Sequence, residues 1–391
     1  MIPSHRQWFN RAWTPEKYAR FLKLLEHRTG ETTQFRHSET PVFLPASLVA
    51  TMARYGREMV EQLLADPQYQ QDSREAIPAR YRTPREAPRP LFFQADFGLD
   101  ANLEPKLVEI QGFPTLYAYQ PVMSQCYREA YGVSNNLRTL PGGLDLPVYH
   151  GLLRDAIVGN HDPENVVLLD IDPEHQKTRA DFRITRELFG VHTVDIAAVR
   201  KRADRLYYDR DGVEVQIDRI YNRAIVDELE RKTVKIAFDF RDDLDVQWAG
   251  HPNWFFRLSK FSLPYLKHPA VPHTVFLDRA GSVERPERYV LKPLYSFAGS
   301  GVVVGPTVEQ IAAVPAAQRS QYILQERIDF QPLIETPFGP TKMEVRIMYL
   351  WQDEIRAVNT IIRMGRGAQM GVDHNKGFEW VGASAAFIDE R

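Results

Sequence analysis

The chain has 391 residues, enough for two or three domains with substantial cores, and its 43% apolar and 26% charged residues are those of a soluble globular protein. Lys plus Arg is 49 against 51 for Asp plus Glu, so no net basic field argues for nucleic acid. No apolar run approaches the roughly 20 residues of a membrane span.

The N-terminus, Met1-Ile2-Pro3-Ser4-His5-Arg6, lacks the apolar core of a signal peptide. The single cysteine, Cys126, excludes an intrachain disulfide. Both fit a reducing, cytoplasmic setting. In its Tyr- and Met-rich segment Cys126 reads as buried filler rather than a nucleophile.

Residues 1–90 form a helical N-terminal region. Thr14-Pro15 is a threonine cap followed by proline at the first helical position. Ser47 is expected to cap a second helix carrying Met52, Tyr55, Met59 and Leu63 on one face. Residues 71–90, rich in Pro, Arg and Glu, read as a connecting loop.

A hairpin follows. Leu91 to Leu99 is one strand, and Lys106 to Pro114 returns after a turn-rich loop. Alternation puts Glu109 and Gln111 on one face, Val108 and Ile110 on the other. Asp96, on the neighbouring strand, can join that polar face. Two carboxylates and an amide suit Mg²⁺, which prefers oxygen ligands; the same pattern also suits a solvated hairpin face.

Residues 115–145 are turn-rich with helical pieces. The run Asn165 to Asp172, the helical stretch Gln176 to Phe189 and the run Val191 to Asp195 read as strand, helix, strand, and so imply a parallel crossover. Asp170 and Asp172 end the first strand, where ligands of parallel sheets bind, though turns also favour aspartate there. Arg223 is a candidate anion contact; a surface ion pair with Asp227 or Glu228 is the alternative.

The last third carries Lys260, the run Val271 to Phe276, and then Tyr289-Val290-Leu291-Lys292-Pro293. The loop Ser296-Phe297-Ala298-Gly299-Ser300-Gly301 and a second β-rich run come next. A lysine at a strand end beside a glycine loop suits a polyphosphate, since backbone N–H groups and a point charge converge. A Gly-Ser hairpin turn with a snorkelling lysine is the plainer alternative. The loop is not a Walker A motif, because no Gly-Lys-Ser/Thr follows, and not a Rossmann fingerprint, because it leads into a strand. Tyr322 to Ile328 is an apolar strand ending in Gln325-Glu326. Lys342 to Trp351 then alternates cleanly, with Glu344 and Arg346 on one face, and Ile355 to Met364 returns with Arg363 near its end.

The order strand, Lys-Pro, glycine loop, strand resembles the nucleotide-binding core of the ATP-grasp superfamily. Asp96 followed by Glu109-Ile110-Gln111-Gly112-Phe113-Pro114 is similar to the metal hairpin of these ligases, where Glu-x-Asn-x-x-Pro is usual. Here the hairpin precedes the lysine loop, an order that resembles the circularly permuted branch with eukaryotic glutathione synthetase and glutathionylspermidine synthetase. The resemblance implies an α/β (α+β) ATP-grasp fold in permuted order. In that division residues 91–140 hold the metal hairpin and linker, 141–250 the small parallel α/β substrate domain, and 251–391 the nucleotide-binding domain with a C-terminal lid at 381–386.

It further implies an ATP-dependent ligase joining a small-molecule carboxylate to an amine through an acyl phosphate. Asp96, Glu109 and Gln111 would hold Mg²⁺. Lys260, Lys292, Ser296, Gly299, Ser300 and Gly301 would hold the triphosphate, and Gln325, Glu326 and Glu344 the rest of the nucleotide. Arg346 and Arg363 would be catalytic. Three departures qualify this: Gln111 replaces the usual asparagine, no glutamate stands in the glycine loop, and Gly365 stands where a lysine is usual. A small-molecule kinase and a nucleotide-binding protein without ligase activity are the alternatives. Asp96-Phe97-Gly98 matches a kinase motif without the accompanying His-Arg-Asp loop.

Overall fold

The computed structural model describes residues 1–296, 299–375 and 377–390. Phe297 and Ala298, in the middle of the expected phosphate loop, lie outside the described residues. Two helices open the chain, α1 (Pro3–Ala12) and α2 (Pro15–Thr29). The Thr14 side chain accepts the Lys17 N–H at the start of α2, and Gly30, with φ of 63°, ends it in the left-handed conformation that glycine adopts freely. A short strand the sequence reading missed, β1 (Val42–Pro45), runs directly into α3 (Ala46–Ala65). Pro45 occupies the cap position without a side-chain bond, so Ser47 lies inside the first turn rather than capping it. A further helix, α4 (Pro67–Glu75), takes the front of the expected loop; Asp66 caps it through the Gln68 and Tyr69 N–H groups.

The hairpin is β2 (Phe92–Leu99) and β3 (Pro105–Gln111). After α5 (Tyr119–Tyr131) and α6 (Leu146–Ile157) comes the α/β unit: β4 (Val166–Asp170), α7 (Arg179–Phe189) and β5 (His192–Asp195). Strands β6 (Arg200–Arg202), β7 (Arg205–Arg210) and β8 (Val213–Ile217) make a separate antiparallel sheet. With β9 (Arg219–Asn222) and β10 (Gln247–Ala249), β4 and β5 form a parallel sheet in the order β10-β9-β4-β5. The expected parallel crossover is therefore present.

The C-terminal part adds β11 (Thr274–Phe276), β12 (Tyr289–Pro293), β13 (Val303–Val304) and β14 (Tyr322–Glu326), an antiparallel sheet ordered β11-β14-β12-β13. The long hairpin β15 (Lys342–Trp351) and β16 (Ile355–Gly365), with β17 (Gly382–Ser384), joins β2 and β3 in one five-stranded antiparallel sheet, β17-β16-β15-β2-β3. The last strand, β18 (Ala386–Asp389), runs parallel to β1. Residues 381–386 are accordingly a buried strand and its approach, tied to α5 by the Gln120 amide at the Ser384 carbonyl, and not the overlying lid expected from their small side chains.

The five-stranded sheet positions the site. Its apolar face, with Ala95, Phe97, Val345, Ile347 and Ile362, packs with Met52, Met59 and Leu63 of α3 in the largest core cluster. Alternation then forces Asp96, Glu344 and Arg346 onto the opposite face. Gly56 of α3 marks how closely helix and sheet approach: a β-carbon there would lie 2.2 Å from the Tyr349 hydroxyl, which donates to the Met52 and Ala53 carbonyls. Gly56→Ala adds helix propensity worth about 1 kcal/mol, but the overpacking costs about 1–3 kcal/mol and outweighs it. Urea unfolding of this variant is expected to show a net loss of stability; a gain would mean that helix and sheet separate freely.

Candidate functional site

Strand register alone brings the charged side chains together. Arg346 of β15 pairs with Asp96 of β2, and Asp96 with Glu109 of β3. One step along, Glu344 pairs with Arg363 of β16. The side chains complete what the register begins. Arg346 donates to both Asp96 oxygens, Nε at 2.5 Å and Nη2 at 2.6 Å, and Arg363 Nη2 donates to Asp96 Oδ2 at 2.5 Å. Planar bidentate pairing of this kind is both strong and directional. Asp96 is 1% exposed. Burial alone would raise its pKa, but Arg346 and Arg363 outweigh that and hold it below the usual carboxylate range. Asp96 cannot be read as a kinase-type aspartate open to a ligand.

The second carboxylate, Glu344, is also buried. Arg363 Nε lies 3.1 Å from its Oε1, yet the alignment makes no hydrogen bond, and among the described residues that oxygen has no hydrogen-bond partner. Burial pushes the Glu344 carboxyl up, against the pull of Arg363 and with the repulsion of Asp96 and Glu109. Glu109 is the most open of the three: Lys260 Nζ stands 3.6 Å and Arg346 Nη2 3.7 Å from it. Gln111, with its amide turned so that oxygen faces donors, accepts from Arg346 Nη2 at 2.5 Å.

Over this face lies the sheet of β12 and β14. Lys292 Nζ donates to Gln325 Oε1 at 2.5 Å and to the Val108 carbonyl at 2.9 Å, while Gln325 Nε2 donates to the Leu107 carbonyl. Burial lowers the Lys292 pKa to about 8. Lys260, in a short turn of helix at Lys260–Tyr265, points inward rather than into solvent and donates to the Ser296 carbonyl at 2.8 Å. The described loop residues Gly299 and Gly301 both adopt positive φ, 77° and 69°. Ser300 is exposed at the loop tip, and Glu326 is exposed at the end of β14.

Lys260, Lys292, Arg346, Arg363, Asp96, Glu109 and Glu344 thus converge, with Gln111 and Gln325 among them, whereas Glu326 stays exposed and Arg223, Asp170 and Asp172 lie in a separate group. Ser296 adjoins them through its carbonyl at Lys260, while Gly299 faces Gln369 and His374, Gly301 faces Pro293, and Ser300 is exposed. The Mg²⁺ arrangement expected for Asp96, Glu109 and Gln111 does not fit: Asp96 is taken by three N–H donors, Gln111 turns its oxygen to Arg346, and only Glu109 is left. Among the described residues no group of three His, Cys, Asp or Glu side chains could hold a metal ion.

Several partners carried no sequence signal. Gln369 donates to the Val302 carbonyl beside the glycine loop. The Phe330 ring lies against Gly98, the register partner of Glu344, where a β-carbon would come within 2.5 Å of it. Gly365 is glycine because Asn375, which accepts the Arg366 and Gly367 N–H groups, fills the space that a side chain would need.

A second charged group lies at the carboxyl ends of β4 and β9. Arg223 is buried and pairs with Asp181 of α7 at 2.6 Å, not with Asp227 or Glu228, and reaches Thr115 and Thr178. Among the described residues its Nε has no hydrogen-bond partner. Thr115 links this group to the first one, since its carbonyl accepts from Gln94, the register partner of Gln111. Asp170 is buried beside it, whereas Asp172 sits in a turn with His175.

A comparison with protein families finds no match, and neither does one with curated proteins. Among solved structures the fold is similar to that of a glutathione synthetase-like effector from Globodera pallida in its apo form, with a TM-score of 0.58 and 11% identity over 95% of this chain and 96% of that one. The protein thus has a mixed α/β, glutathione synthetase-like fold.

Burial raises the Asp170 pKa to about 7, against the partial relief from Arg223. A carboxyl whose folded pKa lies above its unfolded one stabilises fully only at pH below the unfolded value and loses that contribution as pH rises through the folded one. Asp170→Asn should therefore gain on wild type by on the order of 3 kcal/mol between pH 5 and pH 8. Chemical denaturation at both pH values checks this, and a difference that stays flat with pH would contradict it.

Proposed function

We propose that this protein is an ATP-dependent carboxylate–amine ligase. The observation that carries the reading is the convergence of Lys260, Lys292, Arg346 and Arg363, from separate segments, beside the glycine loop. The likeness in fold, over nearly the whole of both chains, supports it. Lys260 and Lys292 hold the triphosphate as point charges, with the loop N–H groups around Gly299 and Gly301. The β14 strand, with Gln325 and Glu326, lies against the base.

The γ-phosphoryl group passes to the substrate carboxylate, giving an acyl phosphate and ADP. The amine then attacks the acyl carbon, phosphate leaves with the C–O electron pair, and the amine proton is lost. Arg363, partly exposed, and the more deeply buried Arg346 stabilise the negative charge that builds on the acyl oxygens. Mg²⁺ belongs to this reading as an ion carried in on the nucleotide phosphates, not as one caged by Asp96. Arg223, whose Nε–H is unbonded among the described residues, is a candidate anchor for an anionic part of the substrate. A nucleotide-binding protein without turnover is the second reading. It is favoured by the loop residues Ser296, Gly299 and Ser300, which bring no carboxylate to the phosphates.

ATP at about 100 times its dissociation constant should raise stability by roughly 2.7 kcal/mol. Lys292→Met should abolish that rise while leaving the folded protein in place. With ATP and a panel of carboxylic acids, hydroxylamine should trap a hydroxamate. Trapping separates the ligase from the binding-only reading, and the absence of any thermal shift at millimolar ATP would contradict both.

A further inference from the structure

The charges in the central cluster do not cancel. Lys260, Lys292, Arg346 and Arg363 face Asp96, Glu109 and Glu344, four cations against three carboxylates. Most of them are removed from water: Asp96 is 1% exposed, Glu344 5%, Lys292 6% and Arg346 8%. A surplus positive charge held in such surroundings is not screened by solvent and calls for an anion. A dication placed among Asp96, Glu109 and Gln111 would enter the same field against Arg346, whose guanidinium already lies between them: it is bonded to both Asp96 oxygens, faces the Gln111 oxygen, and stands 3.7 Å from Glu109.

We infer that Asp96 is a positioning residue that braces Arg346 and Arg363, and that the cluster takes a polyphosphate directly on its cations without a metal bridging Asp96 to it. This rests on the nucleotide site proposed above and deepens it, since it says which of the clustered groups meet the anion. Asp96 fixes the guanidinium planes from behind. Arg363, the more exposed of the two arginines, keeps its outer edge for the ligand. Lys260, 11% exposed at its side chain, has its ammonium shared between Glu109 and the Ser296 carbonyl.

The probe is sodium tripolyphosphate, which carries the charge of a triphosphate without the nucleoside. Thermal unfolding is followed against its concentration, once in EDTA and once with excess MgCl₂, for wild type, Asp96→Asn and Lys260→Met. The wild type is expected to be stabilised in EDTA at least as much as in Mg²⁺, because Mg²⁺ neutralises the free anion. Asp96→Asn is expected to keep a shift in EDTA, having lost a negative charge and no ligand to a metal. Lys260→Met should bind about tenfold more weakly or worse, as loss of a charge-assisted hydrogen bond implies.

A shift in wild type that appears only with Mg²⁺ would overturn the inference and leave the nucleotide site standing. The same holds if Asp96→Asn removes a Mg²⁺-dependent shift. No shift in either buffer would overturn the inference and the nucleotide site together. Should Asp96→Asn fail to fold, the wild-type comparison of EDTA with Mg²⁺ decides alone.

Discussion

The carboxylate of Asp96, shut off from water, receives three N–H groups from two arginines on two further strands of its sheet. An isolated ionised carboxylate in that position would be expelled or protonated. Paired on this geometry it stays ionised, and the arginines are held at fixed angles. Removing either partner from a buried pair of this kind costs about 3–5 kcal/mol, because the other charge is left uncompensated. The requirement fixes the register of β2 against β15 and of β15 against β16, since a slip of one residue would move these side chains to the apolar face. The conformation of the site and the pairing of the central sheet are therefore one constraint.

The two halves of the site come from sheets that meet at β3. Its outward carbonyls, at Leu107 and Val108, accept from Gln325 and Lys292 of the neighbouring sheet. Lys292 is thereby set over the Asp96 face, although it lies 184 residues beyond Val108 in the chain. Its lowered pKa, about 8, reflects the same burial. The parallel sheet joins through Thr115 and Gln94, so the Arg223 group is wired to the central one by hydrogen bonds rather than by sequence proximity.

Much of this was legible from residue pattern. Alternation along Lys342 to Trp351 and along the 91–114 hairpin gave the polar face that holds Asp96, Glu109, Glu344 and Arg346, and strand–helix–strand spacing gave the parallel unit. What alternation cannot supply is the partner across a strand. Asp96 read as a metal ligand because its pairing with Arg346 and Arg363 depends on sheet neighbours some 250 residues away in the chain. Lys260 has the pattern of a solvated lysine, and only the fold turns it inward. Small residues at 381–386 read as a flexible flap, but their size serves close strand packing against β16, with Gly382 at a φ of 117°. Asp66-Pro67 was a cap signal in plain sight, just ahead of the Pro-, Arg- and Glu-rich stretch that read as a loop.

In the proposed function Lys260, Lys292 and the braced arginines form one preformed site for a nucleoside triphosphate. A crystal structure with a non-hydrolysable ATP analogue tests it most directly. The triphosphate is expected between Lys260, Lys292 and the loop at Gly299–Gly301, the base along β14, and the Arg346–Asp96 pair unchanged from the free protein. A nucleotide bound elsewhere, or an Asp96 released from its arginines to meet a metal ion, would contradict it.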